Sequence, residues 1–312
     1  MAILLADVGG TNARLALARE GADGSTAVDP ASVTRFRGDD YASFDAVVAE
    51  YLAGRPADAM SSVCVAVAGP VAGGVARLTN RDWDFSEARL RDLTGASRAR
   101  LINDLTALGY ATPVLGGEGI AVLRAAPEDR ARNGQALVVN AGTGFNVCAV
   151  KVLDDGGIIC LEAEEGHTRL PANIAERLRA EIGAEAAQFP STEELFAGRG
   201  LARLHALRSG TPLVRAEEVA AAAAAGDDAA QASYAFYAEI FGLLCRELAM
   251  RFMPFDGLYL AGSVARSSAE RMDLFGPAFL SDALMRQIPE ATPILMIRDD
   301  MAALHGCLAA LR

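Results

Sequence analysis

The chain has 312 residues, of which 52% are hydrophobic, which is enough to fill the cores of about two domains of roughly 150 residues each. Acidic residues outnumber basic residues by 40 to 29, so the net charge is −11 and the surface repels nucleic-acid phosphates and anionic lipids. No apolar run reaches the roughly 18 residues of a membrane span, and the first residues lack a signal-peptide pattern. We therefore expect a cytoplasmic protein that binds neither nucleic acid nor membrane.

Lysine and cysteine usage excludes further kinds of site. Lys151 is the only lysine, so neither a G-x-x-x-x-G-K-[ST] phosphate loop nor a protein-kinase strand lysine is present. If the chain binds ATP, backbone amides, arginine or a metal must hold the phosphates. The five cysteines are far apart and without a C-x-x-C pair, so we expect reduced, mostly buried thiols. They are Cys64, Cys148, Cys160, Cys245 and Cys307.

The first elements predict a β-hairpin with a glycine-rich turn. Strands over 3–8 and 13–19 flank the turn Gly9-Gly10-Thr11-Asn12. Small turn residues let backbone N–H groups approach a phosphate, and the Thr and Asn side chains add donors. Asp7, at the end of the first strand, can hold Mg²⁺ directly or through a water. An ordinary tight hairpin is the alternative for this segment taken alone.

Alternating helices and strands follow and favour an α/β fold. We predict a helix over 43–53, a buried strand over 62–68 and a polar loop around the only tryptophan, Trp83. A further strand ends in Asn103 and Asp104, directly before a helix. Asp104 is either the helix N-cap or a general base that accepts a hydroxyl proton while Asn103 hydrogen-bonds the same sugar or alcohol.

The plan of the first hairpin repeats in the middle of the chain. Strands over 137–139 and 147–152 flank the turn Asn140-Ala141-Gly142-Thr143-Gly144, and its Gly-Thr pair lies 132 residues after that of the first turn. Each half therefore begins with a strand, a Gly-Thr turn and a strand. Two such turns can close on one polyphosphate from both sides.

Glu164-Glu165-Gly166-His167 follows the second hairpin and places two carboxylates and a histidine in one loop. These side chains suit the recognition of vicinal hydroxyls better than a metal, because no further histidine or cysteine lies nearby in the sequence. His205 and His305 lie in helical segments, and we interpret both as structural.

The C-terminal part predicts a long helix, an adjoining alanine-rich helical run over 220–225 and a strand. Apolar residues recur every four positions from Phe236 to Leu248, and Pro254 ends that helix. A strand over 257–260 then enters the turn Ala261-Gly262-Ser263. With no low-complexity linker present, the best candidate for the domain boundary is the stretch near Thr112-Pro113.

The segment Leu5-Ala6-Asp7-Val8-Gly9-Gly10-Thr11-Asn12-Ala13-Arg14-Leu15-Ala16 resembles the first phosphate motif of bacterial glucokinases, within the hexokinase, actin and heat-shock chaperone superfamily. The resemblance covers nearly the whole chain, and its motifs occur in the order of the family. No cysteine cluster follows His167 and no DNA-binding extension precedes Asp7, so the glucokinase branch fits better than the repressor-type sugar kinases. The other matching motifs are residues 78–86, 102–107, 141–144 and 164–167, and Glu193 with 198–201.

The resemblance implies an α/β fold of a definite kind: a duplicated ribonuclease H-like (actin/hexokinase-like) two-domain fold with a central cleft and mixed sheets flanked by helices. Residues 1–112 plus 298–312 would form the small domain and 113–297 the large one. Glucose and ATP would bind in the cleft. The family also implies a homodimer.

The resemblance further implies ATP- and Mg²⁺-dependent phosphorylation of glucose at its 6-hydroxyl. Asp104 then corresponds to the catalytic base. The residues that correspond to sugar contacts are Asn103, Asp104, Glu164, His167 and Glu193. Those that correspond to the nucleotide site are Asp7, Gly9, Gly10, Thr11, Asn12, Gly142, Thr143, Gly144 and Gly262.

Three residues depart from the family pattern on the nucleotide side. Asn140 and Asn146 stand where the second phosphate motif has glycines, and Ser263 replaces the second glycine of the adenosine loop. An asparagine side chain occupies space near a phosphate. One alternative is therefore a catalytically weak sugar-sensing relative. Another is a kinase for another hexose or an amino sugar, because Glu164, His167 and Glu193 alone do not exclude a sugar substituted at position 2.

Overall fold

A computed structural model describes residues 2–21, 25–53, 55, 60–78, 81–212 and 214–312. The chain forms two compact units: Met1–Gly119 with Asp299–Arg312, and Ile120–Arg298. The first division falls between Gly119 and Ile120, later than the sequence-based boundary at residue 112. Thr79 and Asn80 of the Trp83 motif lie outside the described residues.

Strands and helices alternate along both units. The strands are β1 (Ala2–Val8), β2 (Asn12–Glu20), β3 (Thr26–Val28), β4 (Thr34–Arg37), β5 (Met60–Val67), β6 (Val71–Ala72), β7 (Val75–Arg77), β8 (Asp84–Ser86), β9 (Arg98–Asn103), β10 (Ile120–Arg124), β11 (Gln135–Ala141), β12 (Phe145–Val152), β13 (Ile158–Glu162), β14 (Gly257–Ala261) and β15 (Ile294–Ile297). The helices are α1 (Phe44–Ala53), α2 (Glu87–Thr94), α3 (Asp104–Ala111), α4 (Ala172–Ile182), α5 (Thr192–Phe196), α6 (Gly198–Ser209), α7 (Ala216–Ala224), α8 (Asp228–Phe252), α9 (Ser263–Ala269), α10 (Met272–Phe279), α11 (Gln287–Ala291) and α12 (Ala302–Ala309).

The two large sheets share one topology. In the first unit the strand order is β3-β2-β1-β5-β9, with β4 also paired to β2. In the second it is β13-β12-β11-β14-β15, continued by β10. In both sheets two consecutive strands form an antiparallel hairpin, β1 with β2 and β11 with β12, and the next two pairings are parallel. The predicted duplication of a mixed α/β unit is confirmed.

Both predicted hairpins are present, but each turn is shorter than the sequence indicated. In the first, β2 begins at Asn12, so only Gly9, Gly10 and Thr11 form the turn. β11 continues through Asn140 to Ala141, and β12 begins at Phe145, so only Gly142, Thr143 and Gly144 form the turn. Asn140 and Asn146 face each other as a cross-strand pair instead of lying in the loop. Their side chains are therefore directed by the pleat of the sheet.

Each unit has its own apolar core. In the second unit the predicted face of α8 is buried at Phe236, Ile240, Leu244 and Leu248, and the helix ends at Met253, whose φ is 42°, directly before Pro254. In the first unit Trp83 is buried in the core, although the sequence placed it in a polar loop.

The last helix belongs to the first unit. α12 crosses α3 so closely that a Cβ on Gly306 would lie 1.7 Å from the Ala107 carbonyl oxygen, which only glycine permits. Both histidines that we interpreted as structural bond within their own units: His205 Nδ1 lies 3.0 Å from Ser233 Oγ and His305 Nε2 lies 3.3 Å from Asp299 Oδ2.

The five cysteines are free thiols, and all except the partly exposed Cys160 are buried, as expected. Within the described ranges, no helix has both the length and the apolar character needed to cross a membrane.

Candidate active site

Two carboxylates meet at one edge of the first sheet. Asp7 lies near the end of β1, and Asp104 follows β9; both strands run parallel to β5, so their carboxyl ends share that edge. Burial, together with the negative charge of Asp7, raises the pKa of Asp104 to about 6. Burial also raises the pKa of Asp7, against the opposing charge of Arg14 on the neighbouring strand. A carboxylate that titrates near neutral pH is suited to accept a proton.

The N-cap of α3 is Asn103, not Asp104. Asn103 Oδ1 accepts the N–H groups of Leu105 (2.9 Å) and Thr106 (3.4 Å), and its Nδ2 donates to the Gly69 carbonyl (3.0 Å). Asp104 is the first residue of the helix, and its Oδ1 accepts the Leu105 N–H at 2.8 Å. The capping interpretation of Asp104 is therefore wrong, because the side chain of the preceding residue caps the helix.

The first turn is closed by one hydrogen bond and held from outside by an arginine. Gly9 N donates to Asn12 O at 2.9 Å, and Thr11 O accepts from Gly38 N at 2.8 Å. Arg81 donates to Gly10 O at 3.3 Å and to Gly38 O at 2.7 Å. Arg81 lies in the matching motif 78–86, but nothing in the sequence indicated its role, because its partners lie over 40 residues away in the chain.

The second turn is closed by Gly142 N donating to Gly144 O at 2.9 Å. The backbone of α6 is bonded directly to it, since Gly198 N donates to Gly142 O at 2.8 Å. A Cβ on Gly144 would lie 2.9 Å from Glu193 Oε2. The turn, the start of α6 and the Glu193 carboxylate are thus in direct contact.

Gly262 brings the end of β14 against the second turn. Its φ of +91° is one that other residues rarely adopt, and a Cβ there would lie 2.3 Å from Ala141 O and 2.8 Å from Asn140 Oδ1. Ser263, which departs from the family pattern, is exposed and begins α9. The structure therefore joins Gly142 and Gly262, which the sequence placed in one site.

A cavity of about 430 Å³ opens beside these residues in the second unit. Its wall contains Gly142, Thr143, Ser263 and Val264, and on the side of α6 and α7 it carries three arginines. The arginines are Arg199, Arg203 and Arg215. The sequence indicated only that almost all positive charge is arginine. Which arginines line this cavity depends on how α6 and α7 pack, and the sequence did not show that.

Glu193 is held at both carboxylate oxygens. Oε2 accepts the Phe145 N–H at 3.0 Å, and Oε1 accepts from Arg199 at 2.6 Å. Burial alone would raise the pKa of Glu193, but these two donors and the nearby His167 lower it below its usual value. Glu193 is therefore ionised at neutral pH and accepts hydrogen bonds only.

Asn146 organises the loop that carries Glu164 and His167. Its Oδ1 accepts the Glu165 N–H at 3.0 Å, and its Nδ2 donates to Ala163 O at 2.6 Å and Glu164 Oε2 at 3.3 Å. The side chain expected near a phosphate thus bonds to the loop of Glu164 instead. Because the residue lies in β12, its carboxamide points along the sheet face to that loop.

The loop lies close to Glu193 as well. A Cβ on Gly166 would lie 2.3 Å from Phe145 O and 3.2 Å from the Glu193 Cβ. Glu165 is buried and paired with Arg251, whereas Glu164 and His167 are exposed. The structure therefore brings Glu164, His167 and Glu193 together as one polar group, with Glu165 as its support.

Within the part of the chain that the structure describes, no group of three or more His, Cys, Asp or Glu side chains is arranged to hold a metal ion. A magnesium ion that binds with a nucleotide needs only one or two protein carboxylates, because phosphates and water complete its ligands. Asp7, half-buried beside Asp104 and next to the first turn, can supply such a carboxylate.

Comparison with known proteins identifies the family. The glucokinase family model matches residues 4–312. A glucokinase of Xanthomonas euvesicatoria pv. vesicatoria is 31% identical over 320 residues, covering 98% of this chain and 94% of the relative.

Solved structures agree with that match. The crystal structure of a glucokinase from an Antarctic psychrotroph superimposes with a TM-score of 0.86 at 26% identity, covering 99% of this chain and 98% of that one. A ROK-family glucokinase from Streptomyces griseus, in complex with glucose and AMPPNP, shares the fold with a TM-score of 0.64 at 18% identity, covering 100% and 99%. The chain belongs to the glucokinase family, the enzymes that phosphorylate glucose with ATP.

Proposed function

We propose that this chain transfers the γ-phosphoryl group of ATP to the 6-hydroxyl of glucose, with Asp104 as general base. The main support for this role of Asp104 is its pKa of about 6, which burial and the charge of Asp7 raise above the usual value. At pH 7 the carboxylate is ionised yet basic enough to take a hydroxyl proton. Its proton acceptance makes the sugar oxygen a better nucleophile as it approaches the γ-phosphorus.

We propose Asn103, Glu164, His167 and Glu193 as the other sugar contacts. The Asn103 side chain is held by the Gly69 carbonyl and hydrogen-bonds to Asp104, so it lies beside the proposed base. Glu164 and His167 are exposed on a loop fixed by Asn146, so they can bind hydroxyls without rearranging the chain. Several such donors and acceptors, fixed in advance, favour a polyol over a mono-alcohol.

For the nucleotide we propose the cavity beside Gly142, Thr143 and Gly262. The first turn of α6 lies at its wall, where the helix dipole favours an anion, and three arginines are available to bind phosphate oxygens. The first turn, Gly9-Gly10-Thr11-Asn12, supplies further amide and hydroxyl donors. Asp7 would hold Mg²⁺, which offsets negative charge on the transferring phosphoryl group.

A coupled assay for glucose 6-phosphate with Mg-ATP, run beside calorimetric titrations of glucose and of ATP, tests this function. We expect glucose-dependent turnover and binding of both substrates. Glucose binding with neither turnover nor ATP binding would contradict the proposal and favour a sugar-sensing relative. A larger kcat/KM for mannose, fructose or glucosamine than for glucose would change the substrate while keeping the chemistry.

We also propose, on the family resemblance, that the chain is a cytoplasmic homodimer. Light scattering coupled to size-exclusion chromatography measures the mass directly and would contradict the dimer if it returned the 32.6 kDa of one chain.

A further inference from the structure

Arg199 belongs to two sites of the second unit at once. It lines the nucleotide cavity, and its side chain is 44% exposed. Its guanidinium also donates to Glu193 Oε1 at 2.6 Å and to Glu194 Oε1 at 3.0 Å. One arginine therefore connects the cavity to Glu193, one of the proposed sugar-binding residues.

The two oxygens of Glu193 have different partners. Oε2 is fixed by the backbone N–H of Phe145, the residue that follows the second turn. Oε1 is bonded by a flexible, half-exposed side chain. Only the second bond can be exchanged without moving the backbone.

We propose that Arg199 couples the two substrates: a triphosphate entering the cavity draws the guanidinium away from Glu193 Oε1, which is then free to accept a sugar hydroxyl. The inference rests on the proposed function and adds a positioning residue to it. Guanidinium binds phosphate oxygens in pairs, and a triphosphate carries more negative charge than one carboxylate, so the exchange is favourable.

Glu194 makes the exchange easier. It accepts from Arg203 at 3.0 Å as well as from Arg199, so it keeps a cationic partner when Arg199 turns away. Glu193 then remains ionised and held by Phe145, ready to bind the sugar. Nucleotide binding should therefore increase the affinity for glucose, by about tenfold, and glucose should increase nucleotide affinity by the same factor.

The experiment is a calorimetric titration of glucose with and without saturating Mg·AMPPNP, a non-hydrolysable analogue of ATP. It compares the unaltered protein with Arg199→Gln and Arg215→Gln. Arg215 lines the same cavity but pairs with Glu218 and with neither Glu193 nor Glu194, so Arg215→Gln is the matched control. Thermal unfolding of each variant checks that the fold is retained.

We expect about a tenfold effect of AMPPNP on glucose affinity in the unaltered protein and in Arg215→Gln, although both variants bind AMPPNP more weakly. In Arg199→Gln the two glucose affinities should agree within about twofold. Full coupling in Arg199→Gln, or its loss in both variants, would overturn the proposal. Loss of glucose binding in Arg199→Gln would also overturn it, because the sugar site would then need the ion pair between Arg199 and Glu193 that the proposal says is broken.

A different result would contradict the proposed function: the unaltered protein would not bind AMPPNP or would show no glucose-dependent turnover. Normal turnover with no effect of AMPPNP on glucose affinity would overturn the coupling alone.

Discussion

The two Gly-Thr turns occupy equivalent places in two sheets of the same strand order, yet different side chains surround them. Beside the first turn lie the carboxylates of Asp7 and Asp104. Beside the second lies a cavity with three arginines, each paired with a glutamate. We propose that these different surroundings give the first turn acid–base chemistry and the second turn anion binding.

The turns also differ in what fixes them. Each has three residues, but the first is held by the Arg81 side chain and the Gly38 N–H, whereas the second is held by the backbone of α6 and by the close approach of Gly262. Because Gly262 leaves no room for a Cβ, we expect a substitution there to act through packing, and a substitution of Asp104 to act through the chemistry.

The largest effect should come from Asp104→Asn, which removes the base but keeps an oxygen for the Leu105 N–H. We expect kcat to fall by a factor of about 10²–10⁴, with glucose affinity nearly unchanged. The coupled assay and calorimetry measure the two quantities. Turnover within about threefold of the unaltered protein would remove Asp104 from the mechanism.

The same variant should be more stable. The raised pKa means that the folded protein loses stability as the pH rises from about 4 to about 6, where Asp104 ionises in its buried site. A neutral Asn avoids that loss, so the free energy of unfolding at pH 7 should increase by about 1–3 kcal/mol. Urea unfolding at pH 7 and at pH 4 checks the sign, because the gain should disappear at the lower pH.

The pH profile tests the chemistry assigned beside the first turn. Below about pH 6 Asp104 takes up a proton, and kcat/KM for glucose should fall about tenfold per pH unit. The residual kcat/KM of Asp104→Asn should fall much less over the same range, because no carboxyl group titrates at that position. An equal fall in both proteins would contradict the assignment of the base to Asp104.

Gly262→Ala should disrupt the second turn. The positive φ and the contact with Ala141 O together should cost about 2–4 kcal/mol of stability and weaken AMPPNP binding by about tenfold. Gly210→Ala is the matched control: its φ is +68°, but no atom lies within 4 Å of the added Cβ, so only the backbone cost of about 1 kcal/mol applies. Equal losses in the two variants would mean that contact with the turn is unimportant.

The smallest effect should come from Asn146→Ala. Loss of its bonds to Ala163, Glu164 and Glu165 should raise the KM for glucose by about three- to tenfold and leave the KM for ATP unchanged. Asn140→Ala, on the paired strand, is the control and should leave the KM for glucose unchanged. A selective rise in the KM for ATP in Asn146→Ala would indicate that Asn146 acts at the phosphate site, as the sequence first suggested.

The sequence by itself determined the hairpins, the duplication, the reduced thiols and the family. Strands, glycine turns and apolar periodicity are local patterns, and a twelve-residue motif such as 5–16 is specific without any knowledge of packing. The same patterns placed Asp104 at the start of a helix. They left its role open, because a cap and a base have the same local sequence.

Tertiary structure decided what surrounds those motifs. Asn103 caps α3, Asn146 bonds to the loop of Glu164, and Arg199 reaches both Glu193 and the cavity. These contacts depend on register, on the direction of each side chain from its strand or helix, and on how α5 and α6 pack against the second turn. Burial likewise sets the pKa of Asp104, and burial is a property of the packed chain, not of the residue.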